Sequence, residues 1–391
     1  MPLTRPMSRG SALHVVVWVV SAALLVGVTA LVLLDRYLRE QYEPALGQLH
    51  QAVTRDIGFF CEQQVLLAQD PWFHEPRTSG DAGPLLNAWV GWSPIPAAPN
   101  LHSPLILPAA LLEPHAVAKD WLQSKAEVSS LDFSWMGRLR DFDRWETLQH
   151  TPSPLPARVI WVDAAQPDFS RLRLWAKLRL LQGLRTGQPV EAARDVRHLA
   201  WLAYRTDTLM GGIYAASMLG LEREAYDSLP SPPPEWHPMS REQVARMRAI
   251  ILSSGVFSNV AAPAEVARQA RRCGAPAPSA CIALGEGAVM MTYLRPLAEG
   301  QYPEAYAALA EDIEALSCST SFARTVWERG ASLEEAPSKL AQRPRWLDFV
   351  PASYARKYSA GVLVSMGTPE LHPLEQFRVE LESGSFQPDS P

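Results

Sequence analysis

Two sets of side chains place carboxylates and an imidazole at helical spacing. Asp143, Glu146 and His150 stand at i, i+3 and i+7, and Glu191, Asp195 and His198 at i, i+4 and i+7. On a helix each set shares one face, as a carboxylate-bundle metal site requires. A dinuclear bundle also draws glutamates from two further helices, and no such partners stand out. The bland alternative is a half-solvated helix face with Asp195 and His198 paired locally at its rim. Asp143, Glu146, His150, Asp195 and His198 are therefore the catalytic candidates, and neither a resident metal nor a cofactor is expected. The metal-protease, hydrolase-elbow, P-loop and dinucleotide fingerprints are all missing, as is any Cys-x-x-Cys pair.

The tryptophans offer a second chemistry. Nine of the 13 fall between Trp72 and Trp201, several beside prolines. Aromatics on irregular loops can form a sugar or peptide platform, but large aromatics more often fill the core of a loop-rich domain. Core is the expected role.

Cys61, Cys273, Cys281 and Cys318 are the four cysteines. An even count permits two disulfides in an oxidising compartment, and buried thiols are the alternative. Cys273 and Cys281 bracket a Gly-Ala-Pro-Ala-Pro-Ser-Ala turn between two expected helices, so a Cys273–Cys281 bridge is the expected pairing.

These groups need elements to position them. Val15 to Leu34 is an unbroken apolar run with no charge. Its length, about 20 residues, suits a helix crossing a hydrocarbon core. It is too long for a signal peptide's apolar region and lacks a small-residue cleavage site. Trp18, Tyr37 and Tyr42 suit interfacial belts. Arg5, Arg9 and the amino terminus tip the charge balance towards a cytoplasmic tail, with the bulk of the chain outside.

The remainder is globular in composition, at 47% hydrophobic and 20% charged. A net charge of −5 without a basic block argues against nucleic-acid binding. Leu46, Leu49, Val53, Ile57 and Phe60 give a membrane-proximal helix one apolar face, with a kink expected at Pro44. Residues 71–114 are proline-rich and aromatic, an ordered irregular wrap. Short helices are expected over about 115–128 and 131–149, and one isolated strand over Arg158–Val162. Helical periods then fill residues 169–330. Gly187 stops one helix, and Pro189 opens the next. Ser240 begins a capping box with Gln243, stapled by Met239 and Val244. Further helices fit about 207–228, 240–254, 263–272, 280–298, 302–317 and 319–329.

Gly187-Gln188-Pro189-Val190-Glu191-Ala192 echoes Gly300-Gln301-Tyr302-Pro303-Glu304-Ala305. Each sits between two expected helices, and each resembles the inter-helix turn of tetratricopeptide-like hairpins. The likeness covers about a dozen residues, and the full repeat pattern of about 34 residues does not recur. It implies stacked αα-hairpins and no particular family.

The expected fold is all-α: a transmembrane helix, then a mostly helical soluble domain of stacked αα-hairpins with a Pro/Trp-rich irregular segment. The expected divisions are a short cytoplasmic tail at 1–14, the anchor at 15–34 and a membrane-proximal helix at 35–70. Beyond them come the mixed segment at 71–168, the hairpin core at 169–330, a C-terminal helical segment at 331–381 and a disordered tail at 382–391. The expected function is that of a membrane-tethered, non-enzymatic scaffold for protein partners in an envelope compartment. The alternatives are a carboxylate/His metal hydrolase and a glycan-binding domain.

Overall fold

The apolar run and the membrane-proximal segment form a single helix, α1 (Arg9–Ala68, 60 residues), with Pro44 inside it and no break there. The computed structural model describes residues 9–93, 103–108, 120–147, 166–258, 263–273, 279–298, 303–315 and 371–386, with isolated positions between them. Within α1, His14–Tyr37 has a mean hydropathy of 2.6, and none of its most apolar stretch is buried. This segment is long and apolar enough to cross a membrane. Further along, the side of the helix expected to be apolar turns into the protein. Leu49, Val53, Ile57 and Phe60 are all buried.

The core of the molecule is a run of antiparallel helices: α4 (Phe169–Thr186), α5 (Pro189–Tyr204), α6 (Leu209–Asp227), α7 (Arg241–Ser258), α8 (Ala264–Arg271), α9 (Ala280–Ala298) and α10 (Pro303–Ala315). From α4 to α8 each packs on the next, α9 packs on α7 and α10, and α10 reaches back to α8. The all-α hairpin fold follows from local signals. Asp168 caps α4 by accepting the Arg171 N–H at 3.1 Å. Gly187 ends that helix at φ 73°, a left-handed conformation that a side chain would strain. Thr208 caps α6 through the Gly211 N–H at 3.0 Å. Ser240 accepts the Gln243 N–H at 3.1 Å, the first half of the expected capping box. The second half is replaced, because Gln243 Oε1 accepts from Arg246 while its Nε2–H reaches the Leu66 carbonyl of α1 at 3.3 Å.

α1 lies against α7 and α8. Phe60 stacks on Phe257 at 4.4 Å. A last helix, α11 (371–382), crosses the same region, where Arg378 pairs with buried Asp56 at 2.9 Å and Arg55 reaches Glu375 at 3.4 Å. Residues 383–386 form a turn held by the Ser385 N–H on Glu380 O at 3.1 Å. The rest of the expected C-terminal segment and tail lies outside the described residues, as do residues 1–8, the Arg158–Val162 strand and Gly300.

The mixed segment departs from expectation in its helices. It holds a 3-10 turn at Pro71–His74, α2 (Gly83–Trp89), 3-10 turns at Trp121–Gln123 and Leu139–Asp141, and α3 (Ser134–Arg138). The helix expected over 131–149 stops at Asp141. Past it the backbone turns to Gly80–Ala82 instead of to itself. Asp143 N–H reaches Gly80 O at 3.0 Å, and Ala82 N–H reaches Arg144 O at 2.9 Å. A two-residue antiparallel pair, β1 (Trp92–Ser93) with β2 (Gln166–Pro167), ties the wrap to the start of α4.

The cysteines correct the expected bridge. Cys61 pairs with Cys273, and Cys281 with Cys318. Cys273 follows α8, which packs on α1 and so meets Cys61; Cys281 lies in the first turn of α9 and meets Cys318 beyond α10. The helices on either side of the segment between Cys273 and Cys281 share α7 and α10 as neighbours, but α8 also packs on α1, and that contact brings Cys61 to Cys273 and outweighs nearness in sequence.

Candidate functional site

The two acid–imidazole sets do not form facing helical surfaces. Asp143 and Glu146 sit in the extended strip after the Leu139–Asp141 turn, so their helical spacing has no meaning in three dimensions. Asp143 Oδ1 accepts the Gly80 N–H at 3.0 Å. The Glu146 backbone donates to Asp81 Oδ1 at 2.9 Å and accepts from the Asn87 amide at 2.8 Å. His150 lies outside the described residues. Trp145, fully buried between them, donates its indole N–H to Asn87 Oδ1 at 2.7 Å. Anchoring that ring costs the segment its helix.

The second set does lie on one helix, α5, but arginines take its carboxylates. Asp195 is buried, and receives Arg140 on Oδ1 at 2.5 Å and Arg179 on Oδ2 at 2.8 Å. Glu191 receives Arg140 at 2.6 Å and Arg194 at 2.9 Å. The hydrogen bond from Arg140 holds the Glu191 carboxyl below its ordinary range. His198 donates Nε2–H to the Leu139 carbonyl at 2.8 Å, and burial pushes its pKa down, so it is a neutral strut between α5 and the Leu139 turn. The arrangement binds the wrap to the hairpins; both carboxylate oxygens of Asp195 are committed to guanidiniums rather than offered to a cation.

Most of the described tryptophans between Trp72 and Trp201 are core. Trp72, Trp121, Trp135, Trp145 and Trp175 are among the largest fully buried side chains. Four of these five indole N–H groups find protein acceptors, as Trp121 does on Glu224 at 2.8 Å and Trp145 on Asn87 Oδ1 at 2.7 Å, while that of Trp135 has none. The faces of these five rings, turned inward, offer no stacking surface to a sugar.

Sequence reasoning missed a strongly perturbed electrostatic centre. It lies where the Trp72 turn meets α5 and α6. Arg77 lies 3.6 Å over the Trp201 ring and donates to the Trp72 carbonyl at 2.7 Å; burial pulls its pKa down to about 10. Arg197 pairs with Glu75 and stands 3.6 Å from Glu222. Glu222 has no exposed surface. Burial lifts its carboxyl to about 7, against the opposing pull of Arg197 and of the Trp236 N–H at 2.9 Å. Its second oxygen, Oε2, has no hydrogen-bond partner. Only the chain's return path brings these groups together, and no spacing rule could have found them. A carboxyl tuned near neutrality is the mark of an acid–base group, but this one is sealed beneath Trp236 and Arg197.

Space for a ligand lies elsewhere. A cleft of about 530 Å³ opens between α6, α7 and α11, with Val244, Leu252 and Phe377 on its floor and Arg248 and His372 at its rim. A shallower one of about 520 Å³ flanks the Cys61–Cys273 bridge. Among the described residues, neither is lined by Asp143, Glu146, Asp195 or His198. No known family, curated protein or solved structure matches this chain.

Proposed function

We propose that this chain is a single-pass, membrane-anchored scaffold whose helical domain stands on the extracytoplasmic side and holds protein partners there. One observation carries the reading: a single uninterrupted helix, α1, joins an exposed apolar segment at His14–Tyr37 to a segment built into the domain core. A span followed by a flexible linker would leave the domain free to tumble. A span continuous with a core helix fixes the height and tilt of the domain over the bilayer, as a positioning device requires. Two observations support the side. All four cysteines are paired, which suits an oxidising compartment, and Arg5 and Arg9 flank the span on its short side. Asp143, Asp195 and His198, among the candidate catalytic groups, are engaged in holding the fold, which favours binding over chemistry.

The test is a carboxy-terminal reporter active only outside the cytoplasm, combined with proximity labelling from the domain surface. Reporter activity with a small, reproducible set of envelope proteins labelled is the expected result. A reporter active only in the cytoplasm would refute the orientation. Labelling indistinguishable from that by an unrelated anchored domain would refute the scaffold.

A further inference from the structure

Three metal-ligating groups from three separate segments meet near the start of α6. Asp207 comes from the turn between α5 and α6, Cys281 from the first turn of α9, and Cys318 from the chain beyond α10. One carboxylate oxygen and the two sulfurs all lie within 4.8 Å of one another. Asp207 is buried, and both cysteines are half-buried. The surrounding backbone is shaped to bring them together. Asp207 stands at φ 56°, the one non-glycine residue at positive φ among the described residues. That conformation strains an L-residue, and aspartate tolerates it better than most. Gly285 lets α9 come close, since a Cβ there would lie 2.8 Å from the Asp207 carbonyl and 2.8 Å from the Phe322 ring. Beside it, the Glu286 carboxylate accepts the Leu209 N–H at 3.2 Å, so a second acid borders the same turn.

We propose that Asp207, Cys281 and Cys318 form a redox-gated site for a zinc-type divalent cation. In the oxidised chain Cys281 and Cys318 are a disulfide, and no thiolate is available as a ligand. Opening it requires a dithiol reductant. One reductant thiolate attacks a protein sulfur and forms a mixed disulfide, releasing the other protein thiolate. The second reductant thiol then displaces the first protein sulfur, so the reductant leaves as its own disulfide and the chain gains two electrons and two protons. Cation binding expels those two protons, forming two metal–sulfur bonds and one metal–oxygen bond to Asp207, with water in the fourth position.

The dimensions suit this change. Metal–sulfur bonds of about 2.3 Å and metal–oxygen bonds of about 2.0 Å in a tetrahedron set neighbouring ligand atoms roughly 3.3–3.8 Å apart. The Asp207 oxygen, already within 4.8 Å of both sulfurs, therefore has to close in by no more than roughly 1.3 Å while the sulfurs separate, within the reach of side-chain rotation. Two thiolates select a zinc-type cation over magnesium or calcium. Three protein ligands and a water make an open site rather than a closed structural one.

The test uses the full chain in detergent micelles, with Co2+ as the spectroscopic probe. Reduced, oxygen-free protein is expected to bind one Co2+ per chain with a thiolate-to-cobalt charge-transfer band, releasing two protons; oxidised protein is expected to show no band. The C61S/C273S chain should keep the band and C281S/C318S should lose it. D207N should bind at least about tenfold more weakly. An undiminished band in C281S/C318S, unchanged affinity in D207N, or binding by the oxidised chain would overturn the site. Far-ultraviolet circular dichroism checks each variant's fold. Should D207N fail that check, X-ray absorption of the zinc-loaded wild type decides: two sulfurs with the balance oxygen or nitrogen supports the site, and any other sulfur count overturns it.

Discussion

Glu222 makes the stability of this domain depend on pH in an unusual direction. The carboxyl has an ordinary value of 4.5 and is lifted to about 7 by burial. The folded state therefore holds a proton that the unfolded chain releases between those values. Its contribution to stability is fully present below pH 4.5, declines as pH rises, and is gone above about pH 7. The shift of roughly 2.5 pKa units corresponds to about 3 kcal/mol at about 1.4 kcal/mol per unit. The orphaned Oε2 explains why burial wins, since Arg197 at 3.6 Å and the Trp236 N–H address only the other oxygen. Glu222→Gln removes the titration at nearly constant volume. In urea titrations of the full chain in micelles, followed by tryptophan fluorescence, the wild type should lose about 3 kcal/mol relative to the variant between pH 4 and pH 8. Buried Glu286, also lifted to about 7, gives both proteins a common decline that cancels in the difference. A difference that stays flat across this range, or grows in the wild type's favour with pH, would show that Glu222 is ionised throughout and that the burial argument is wrong.

Two further outcomes test the packing. Phe60→Ala should cost about 3–5 kcal/mol, because the ring is buried against Phe257 at the junction of α1 and α7; a loss under about 1 kcal/mol by urea unfolding would mean that α1 is not built into the core. Asp195→Ala should cost about 3–5 kcal/mol by leaving Arg179 buried without its carboxylate, and a near-neutral effect in the same assay would favour a solvated, loosely held carboxylate.

The sequence carried the helices but not their meetings. Leu49, Val53, Ile57 and Phe60 recur at three- and four-residue steps, and that spacing alone names the buried face of α1. Gly187 and Ser240 are legible for the same reason: a helix end satisfies its backbone groups within a few residues, so the signal is local. Asp143, Glu146 and His150 show where such reading fails. Their spacing is helical, but the ring of Trp145 and the backbone of Gly80–Ala82 offer long-range bonds that a local pattern cannot weigh against helix formation.

The same limit explains the cysteines and the charged centre, and it points to how the domain is held together. Cys61 and Cys273 are 212 residues apart. Arg271 and Asp312 are both buried and pair at 2.7 Å between α8 and α10. Arg197 joins Glu75 from the turn after α1 to Glu222 of α6. In each case two groups with little value alone become strong constraints once the hairpins stack. Burial makes an unpartnered charge costly, so each such pair penalises any packing that separates its members. Hydrophobic periodicity sets which face of a helix is inward but tolerates sliding and alternative neighbours. The ion pairs and disulfides supply the register, and two of them, Cys61–Cys273 and Arg271–Asp312, tie α8 to α1 and to α10. Under the proposed anchoring, fixed register at the junction of α1 with α7 and α8 matters most, because slippage there would uncouple the proposed anchor from the surface it would orient.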